Sequence, residues 1–295
     1  MNKVHLVTSG DRNVIPGMFV MLYSTLYSIK KSYELSIHII MIDPPSYLEN
    51  SLKSSLDRLN KKYSLDIIDA EIKDLKNAKK FHGSLGPYLL FMGPHIVESE
   101  KVIYLDPDII VLCDISELYN YNIGDKIIGA VGRKGLHRVL MKERKTLISH
   151  GINIDSTYYN TGVVLFNCKR YIELNIKNTA FKFINEHPDV LHTADQTVIN
   201  IILNKRIYDL PILYNLSHRK LNNNPGLIYN NHGVFHYIGS PKPWDPFGYK
   251  VNSKADHFFK ILDDTGFKPP MRWKYSFMRL KRLILLVRSY YNNRV

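Results

Sequence analysis

Cysteine is nearly absent from this chain: among 295 residues there are two, Cys113 and Cys168, both inside apolar, strand-like runs. Two such positions cannot make a disulfide framework, so buried free thiols in a reducing compartment are expected. Long hydrophobic stretches are missing too. No uninterrupted apolar run approaches the roughly 18 residues of a membrane-spanning helix. At the start, Asp11-Arg12 interrupts the apolar pattern before a signal-peptide core of adequate length develops, so no secretory signal is expected. No internal repeat or low-complexity block is visible. Acidic residues are absent from 267–295, and the whole chain carries a formal net charge of +13.

What is present is enough apolar material, 45% of the residues, to bury one large α/β core without requiring two independent domains. Strand and helix patterns alternate along the chain. Residues 4–7 read as a first strand, 18–29 as a buried helix, and 36–42 as a second strand. Residues 46–63 carry Leu48, Leu52, Leu56 and Leu59 on one helical face. A short strand at 65–69 follows, then helical character near Tyr88, a strand at 101–105, and a helix from about Ser116. Residues 127–131 and 162–166 read as central strands. The basic stretch 133–149 between them suits either an acceptor-binding loop or a solvated helix face. Asn222-Asn-Asn-Pro-Gly226 is a loop signal.

Two carboxylates one residue apart, Asp106-Pro107-Asp108, sit where the strand 101–105 ends and the apolar run 109–112 resumes. In a greasy segment they repel one another and resist desolvation unless a metal ion or a solvated cleft compensates them. The carboxyl end of a strand in an open α/β sheet is also where ligands bind. Taken alone, Asp-Pro-Asp also reads as a plain turn. Far downstream, Val234-Phe-His236-Tyr-Ile-Gly239-Ser-Pro-Lys242-Pro-Trp244 offers complementary chemistry. A neutral His236 imidazole can bind a divalent ion, Gly239 lets a backbone N–H approach a phosphate, and Lys242 is a point charge suited to a diphosphate. Individually, a hydrogen-bonded structural histidine and a surface loop would explain these residues as well.

Further motifs lie between them: Tyr159-Asn160-Thr-Gly162-Val-Val-Leu-Phe-Asn167 and Ala194-Asp195-Gln196-Thr-Val-Ile-Asn200. In this order, with Tyr104-Leu-Asp106-Pro-Asp108 and His236-x-x-Gly239-x-x-Lys242-Pro-Trp, they make the chain resemble glycosyltransferase family 8 over about residues 3–262. That family holds retaining enzymes, among them bacterial lipopolysaccharide galactosyl- and glucosyltransferases and, more distantly, glycogenin. The resemblance implies a GT-A (Rossmann-like) α/β fold with a mixed, mostly parallel central sheet flanked by helices. It further implies a catalytic domain over 1–266 that moves a hexose, galactose or glucose, from a UDP-sugar to a glycan or lipid-linked saccharide in surface polysaccharide synthesis. Its cofactor would be Mn²⁺, or else Mg²⁺.

The roles carried over are these. Asp106, Asp108 and His236 would hold the metal, and Lys242 with the Gly239 backbone would stabilise the departing diphosphate. Thr8, Asp11 and Asn13 match uridine- and ribose-binding positions, with Leu105 and Pro107 beside the metal acids; an ordinary strand-to-helix turn explains the first three equally. Asn160 and Gly162 would border the donor sugar. Gln196 is the nearer catalytic group and Asp195 the second, as an orienter of hydroxyls or as a nucleophile; Thr193 is a candidate N-cap of their helix. Two positions depart from the family. Val14 stands where an aromatic residue commonly stacks on uracil, and Leu89 where an Arg commonly contacts the donor, leaving Lys79, Lys80 or His82 as substitutes.

The segment 267–295 differs from the rest. Lys268, Arg272, Lys274, Arg279, Lys281, Arg282, Arg288 and Arg294 alternate with Trp273, Phe277, Leu280, Ile284 and Val287, which fall near helical spacing. This is a basic tail suited to the surface of an anionic membrane, and it predicts a cytoplasmic enzyme peripheral to the inner face. Nucleic-acid binding by the same residues is the less favoured reading, because a lipid-linked acceptor gives a membrane tail a purpose. A C-terminal helix packed on the catalytic domain is the structural alternative. The competing functional class is a GT-A-fold protein without turnover that binds nucleic acid or anionic surfaces.

Overall fold

The computed structural model describes residues 2–217, 232–246, 248–252, 255–268 and 284. The first unit is strand β1 (Asn2–Gly10), helix α1 (Ile15–Ser28) and strand β2 (Tyr33–Met41), with β1 and β2 parallel. Helix α2 (Leu48–Leu56) leads to β3 (Tyr63–Asp69), parallel to β2. The leucine stripe read over 46–63 continues past α2 as a 3₁₀ turn to Leu59 and then stops. Asn60 adopts a left-handed conformation, φ 46°, which ends the helix and frees Tyr63 to begin the strand. Helical character near Tyr88 is a ten-residue 3₁₀ segment, Gly86–His95, with Pro87 at its start and Pro94 inside, where the missing N–H forbids a regular α-helix.

Strand β4 (Lys101–Leu105) lies on the other side of β1 and parallel to it, so the chain reverses its direction of sheet growth there. Short strand β5 (Ile109–Val111) follows, then α3 (Ile115–Tyr119), capped by Asp114, whose carboxylate accepts the Ser116 N–H at 3.1 Å. Next come β6 (Ile128–Lys134), α4 (Met141–Ser149), β7 (Thr157–Asn167), α5 (Cys168–Glu173), α6 (Ile176–Glu186) and α7 (Asp195–Ile202). The described chain is completed by β8 (Ile207–Asp209), β9 (Leu216–Ser217), β10 (Val234–His236), α8 (Gly248–Val251) and α9 (Ala255–Thr265).

The main sheet has seven strands in the order β3-β2-β1-β4-β7-β6-β8. Its antiparallel strand is β7, between β4 and β6; the others run parallel, giving the mixed, mostly parallel sheet that the sequence implied. A second, three-stranded sheet pairs β5 with β10 antiparallel and β10 with β9 parallel. Alternation along the central strands sends Val4, Leu6, Ile103 and Leu105 to one core with α1, α2 and α9. Val7, Val102 and Tyr104 face the opposite core, with the 3₁₀ segment and α5 to α7. Phe267, the first residue of the basic tail, stacks on Phe19 of α1 at a ring separation of 3.9 Å. Apart from Phe267, Lys268 and Ile284, the tail lies outside the described residues, as does the loop signal at 222–226. Cys113 and Cys168 are buried and unbridged, and burial pushes both thiols up to about 12. No described helix is long and apolar enough to cross a membrane.

Candidate active site

Sheet topology brings the chemistry together. Because β1 and β4 are parallel neighbours at the reversal, Ser9-Gly10-Asp11 and Asp106-Pro107-Asp108 leave the same edge, the crevice where open α/β sheets bind ligands. Asp106 stays in register with β7, its N–H donating to the Gly162 carbonyl at 2.8 Å. Pro107 then turns the chain into β5. The antiparallel pairing of β5 with β10 sets His236 opposite Ile109, next to Asp108. Opposite β6, the register of β7 shifts between Ala130 and Val131, and this bulge re-aims Asn160 beside the site. The resulting cavity, about 390 Å³, is in the range of small-molecule sites, roughly 300–1,000 Å³.

At its floor, one ligand atom each from Asp106, Asp108 and His236 lie within 4.8 Å of one another. His236 Nε2 is 3.2 Å from Asp108 Oδ1 and 3.6 Å from Asp106 Oδ2. The tautomer follows from a chain of amides. The Gly162 N–H donates to Asn160 Oδ1 at 3.0 Å, and Asn215 Nδ2 donates to the same oxygen at 2.7 Å. Asn215 therefore presents its Oδ1 to His236 Nδ1, 3.0 Å away, so Nδ1 carries the proton. Nε2 then faces the two carboxylates, where its lone pair can join them as a ligand to a divalent ion bound between them. Two acids and a neutral imidazole with its other nitrogen anchored fit a divalent transition-metal ion.

The carboxylates are differentiated. Tyr104 donates its hydroxyl to Asp106 Oδ1 at 3.0 Å and contacts Ser9 Oγ at 3.0 Å. Burial and then the Asp108 charge raise Asp106 above the usual carboxylate range. Burial also acts to raise Asp108, but the Lys242 ammonium, in direct contact with its Oδ2, and His236 outweigh it and hold the group below the usual carboxylate range. Lys242 also donates to the Tyr237 carbonyl at 2.9 Å. On the opposite wall, Asp195 is held well above the usual range by burial and by the Asp106 charge. Gln196 Oε1 accepts from Asn160 Nδ2 at 2.7 Å, so one amide chain runs from His236 through Asn215 and Asn160 to Gln196.

Residues 5–247 match the family described as glycosyl transferase family 8. The chain belongs to that family. It is similar to general stress protein A of Bacillus subtilis (strain 168), 27% identical over 289 residues covering 89% of this chain and 94% of that protein. It is also similar to lipopolysaccharide 1,3-galactosyltransferase of Salmonella typhimurium, 27% identical over 270 residues covering 84% and 74%. Among solved structures, the galactosyltransferase LgtC in complex with donor and acceptor sugar analogs has the same GT-A fold. The match has a TM-score of 0.75 at 20% identity and covers 91% of this chain and 99% of that one.

Placed on this family 8 protein, most of the residues singled out from sequence converge. Asp11, Asn13, Asp106, Pro107, Asp108, Asn160, Asp195, Gln196, His236, Gly239 and Lys242 all line the cavity. Thr8, Leu105 and Gly162 do not. Thr8 and Leu105 are fully buried behind it, and the Thr8 hydroxyl has no hydrogen-bond partner among the described residues. Gly162 lies against the Asp106–Asp108–His236 cluster, where an added Cβ would run into the His236 ring and come within 3.0 Å of Asp106 Oδ2. Val14 lines the cavity, whereas Leu89 is fully buried in the core. Of its three suggested substitutes, His82 reaches the lining; Lys79 instead pairs with Asp189 at 3.2 Å, and Lys80 is exposed.

One local expectation is corrected. Thr193 does not cap α7: the N-cap position is Ala194, with no side-chain cap, and the Thr193 hydroxyl lies 3.0 Å from Glu143 Oε1. The basic stretch 133–149 is solvated at Arg133, Lys134, Arg138, Lys142 and Lys145, yet Glu143 within it is fully buried. Sequence reasoning also missed Asn215, which sits in an ordinary-looking Tyr-Asn-Leu run, and the anchoring role of Tyr104. Period-two alternation could have found Tyr104, because it shares a strand face with Asp106.

Proposed function

We propose that this family 8 glycosyltransferase moves a hexose, galactose or glucose, from a UDP-sugar to a saccharide acceptor with retention of anomeric configuration. The observation that carries the reading is the placement of His236 Nε2 between Asp106 and Asp108, with Nδ1 tied to Asn215. These three side chains would hold Mn²⁺ or Mg²⁺, which when bound supplies Lewis-acid stabilisation of the diphosphate. Lys242 and the Gly239 backbone add positive charge and a close N–H on the same side, so the leaving group needs no proton.

Gln196 supports retention. Its amide oxygen, oriented by Asn160, is a poor nucleophile but can stabilise an oxocarbenium-like centre. In same-face transfer the acceptor hydroxyl bonds to the anomeric carbon as the bond to UDP breaks, and a diphosphate oxygen takes the hydroxyl proton. Asp195, beside it, can orient sugar hydroxyls or act as the nucleophile of a two-step route. Asp11, Asn13, Val14 and His82 line the cavity and are read as donor contacts.

The acceptor is read as a glycan or lipid-linked saccharide of surface polysaccharide synthesis, and the basic tail as a peripheral membrane anchor. The basis is the alternation of cations and aromatics in 267–295. Incubation with UDP-galactose or UDP-glucose, followed by proton NMR of the fresh product, tests the main reading. An α-linked product from the α-linked donor is expected, and a β-linked one would sink the retaining assignment. Co-sedimentation with anionic vesicles tests the anchor, since a chain ending near Lys268 should no longer bind.

A further inference from the structure

Glu143 is fully buried on α4, while its neighbours Lys142 and Lys145 face solvent. Its Oε1 lies 3.0 Å from both the Tyr158 hydroxyl and Thr193 Oγ1, and its Oε2 lies 2.9 Å from Thr197 Oγ1. Burying a carboxylate costs several kcal/mol, so hydroxyls brought in from two other elements serve first to offset that cost. Their positions give the cluster a second consequence. Thr193 and Thr197 bracket Ala194, Asp195 and Gln196, and the Thr193 N–H closes the bracket by donating to Thr197 Oγ1 at 3.1 Å.

Ala194 inside this bracket has φ 53° and ψ −123°. A non-glycine residue there carries a cost of order 1–3 kcal/mol and persists only where its surroundings over-determine it. The third hydroxyl joins the bracket as well. Tyr158 donates to Glu143 and lies 3.0 Å from Thr193 Oγ1, so it ties β7 to the residue that precedes the Ala194 turn. Gln196, inside the bracket, is held at its amide oxygen by Asn160.

We propose that Glu143 is a positioning residue for glycosyl transfer: it clasps Thr193 and Thr197 across the strained Ala194 turn and sets Tyr158, so that Asp195 and Gln196 meet the cavity in one orientation. The inference rests on the reading of Asp195 and Gln196 as the groups beside the reacting sugar.

Glu143→Gln preserves shape but replaces one acceptor oxygen with a donor, so it cannot receive all three hydroxyls. Its kcat for hydrolysis of UDP-galactose or UDP-glucose should fall roughly tenfold or more with the donor KM within about twofold, as expected when orientation and not binding is lost. Thr197→Val should act in the same direction. Adding A194G to E143Q removes the φ penalty and should restore part of kcat, a coupling that a purely structural glutamate would not produce.

Hydrogen exchange reads the clasp without turnover. Amides 194–198 should exchange faster in E143Q, with the rest of the chain unchanged. Unaltered exchange there, together with kcat within about twofold of wild type in both E143Q and T197V, would overturn the proposal. If E143Q does not fold, T197V carries both readouts. Absence of wild-type turnover would count against the proposed function, while the exchange result still decides the clasp.

Discussion

Asn215 Oδ1 lies 3.0 Å from His236 Nδ1, and this contact decides which ring nitrogen faces Asp106 and Asp108. The decision is made remotely, by the Gly162 N–H that fixes the Asn160 oxygen and through it the orientation of Asn215. A histidine so tied presents Nε2, and not Nδ1, to an ion held by the two carboxylates.

Asn215→Leu should therefore weaken Mn²⁺ binding by about 10- to 100-fold, the usual cost of losing the partner of a metal-binding histidine. Calorimetric Mn²⁺ titration checks this. Unchanged affinity would mean that the ring is held by packing alone.

Gly162→Ala should abolish divalent-ion binding without unfolding the chain. The new Cβ would strike the His236 ring, with 2.6 Å to Nδ1, and crowd Asp106 Oδ2 at 3.0 Å. A displacement of this size costs on the order of 100-fold in turnover. Circular dichroism should stay native-like while Mn²⁺ titration goes flat.

Glu143 predicts a pH slope. Burial raises it above the ordinary glutamate value of 4.5, against the opposing hydroxyls of Thr197, Tyr158 and Thr193 and the charge of His192. The folded state thus favours the protonated acid. Its stabilising contribution is fully present below 4.5 and is lost as pH rises through the higher folded value. Urea unfolding across this window should show stability declining with pH, and E143Q should remove Glu143's share of the decline. Parallel curves for the two proteins would contradict the assignment.

Leu89→Arg should not recreate the family's donor contact. Leu89 is fully buried away from the cavity lining, so an unpaired guanidinium there should cost about 3–5 kcal/mol of stability. Denaturant midpoints measure the loss. A stable variant with a lower donor KM would show that this position reaches the donor.

The parts legible in the sequence were those with strong local patterning. Apolar strands and the buried α1 follow from composition, and the motifs of 104–108, 159–167, 194–200 and 236–244 are brought to one cavity by the sheet reversal at β4. Asn215 gave no signal because its partners, Asn160 and His236, lie 55 and 21 residues away. Glu143 was hidden in a run of cations: its burial depends on Tyr158, Thr193 and Thr197, which are 15, 50 and 54 residues distant. Thr193 had the chemistry of a helix cap, but its hydroxyl is drawn to that carboxylate. Propensity names what a residue can do locally, and tertiary contacts decide which option it takes.

The central claim is that Asp106, Asp108 and His236 hold a divalent ion required for turnover of the nucleotide sugar. Hydrolysis of UDP-galactose and UDP-glucose in excess chelator, then with added Mn²⁺, tests it most directly, with Asp108→Asn run alongside as a folded control. The account predicts no turnover in chelator, recovery with Mn²⁺, and little recovery in D108N. Full activity of the wild-type chain in chelator would contradict it.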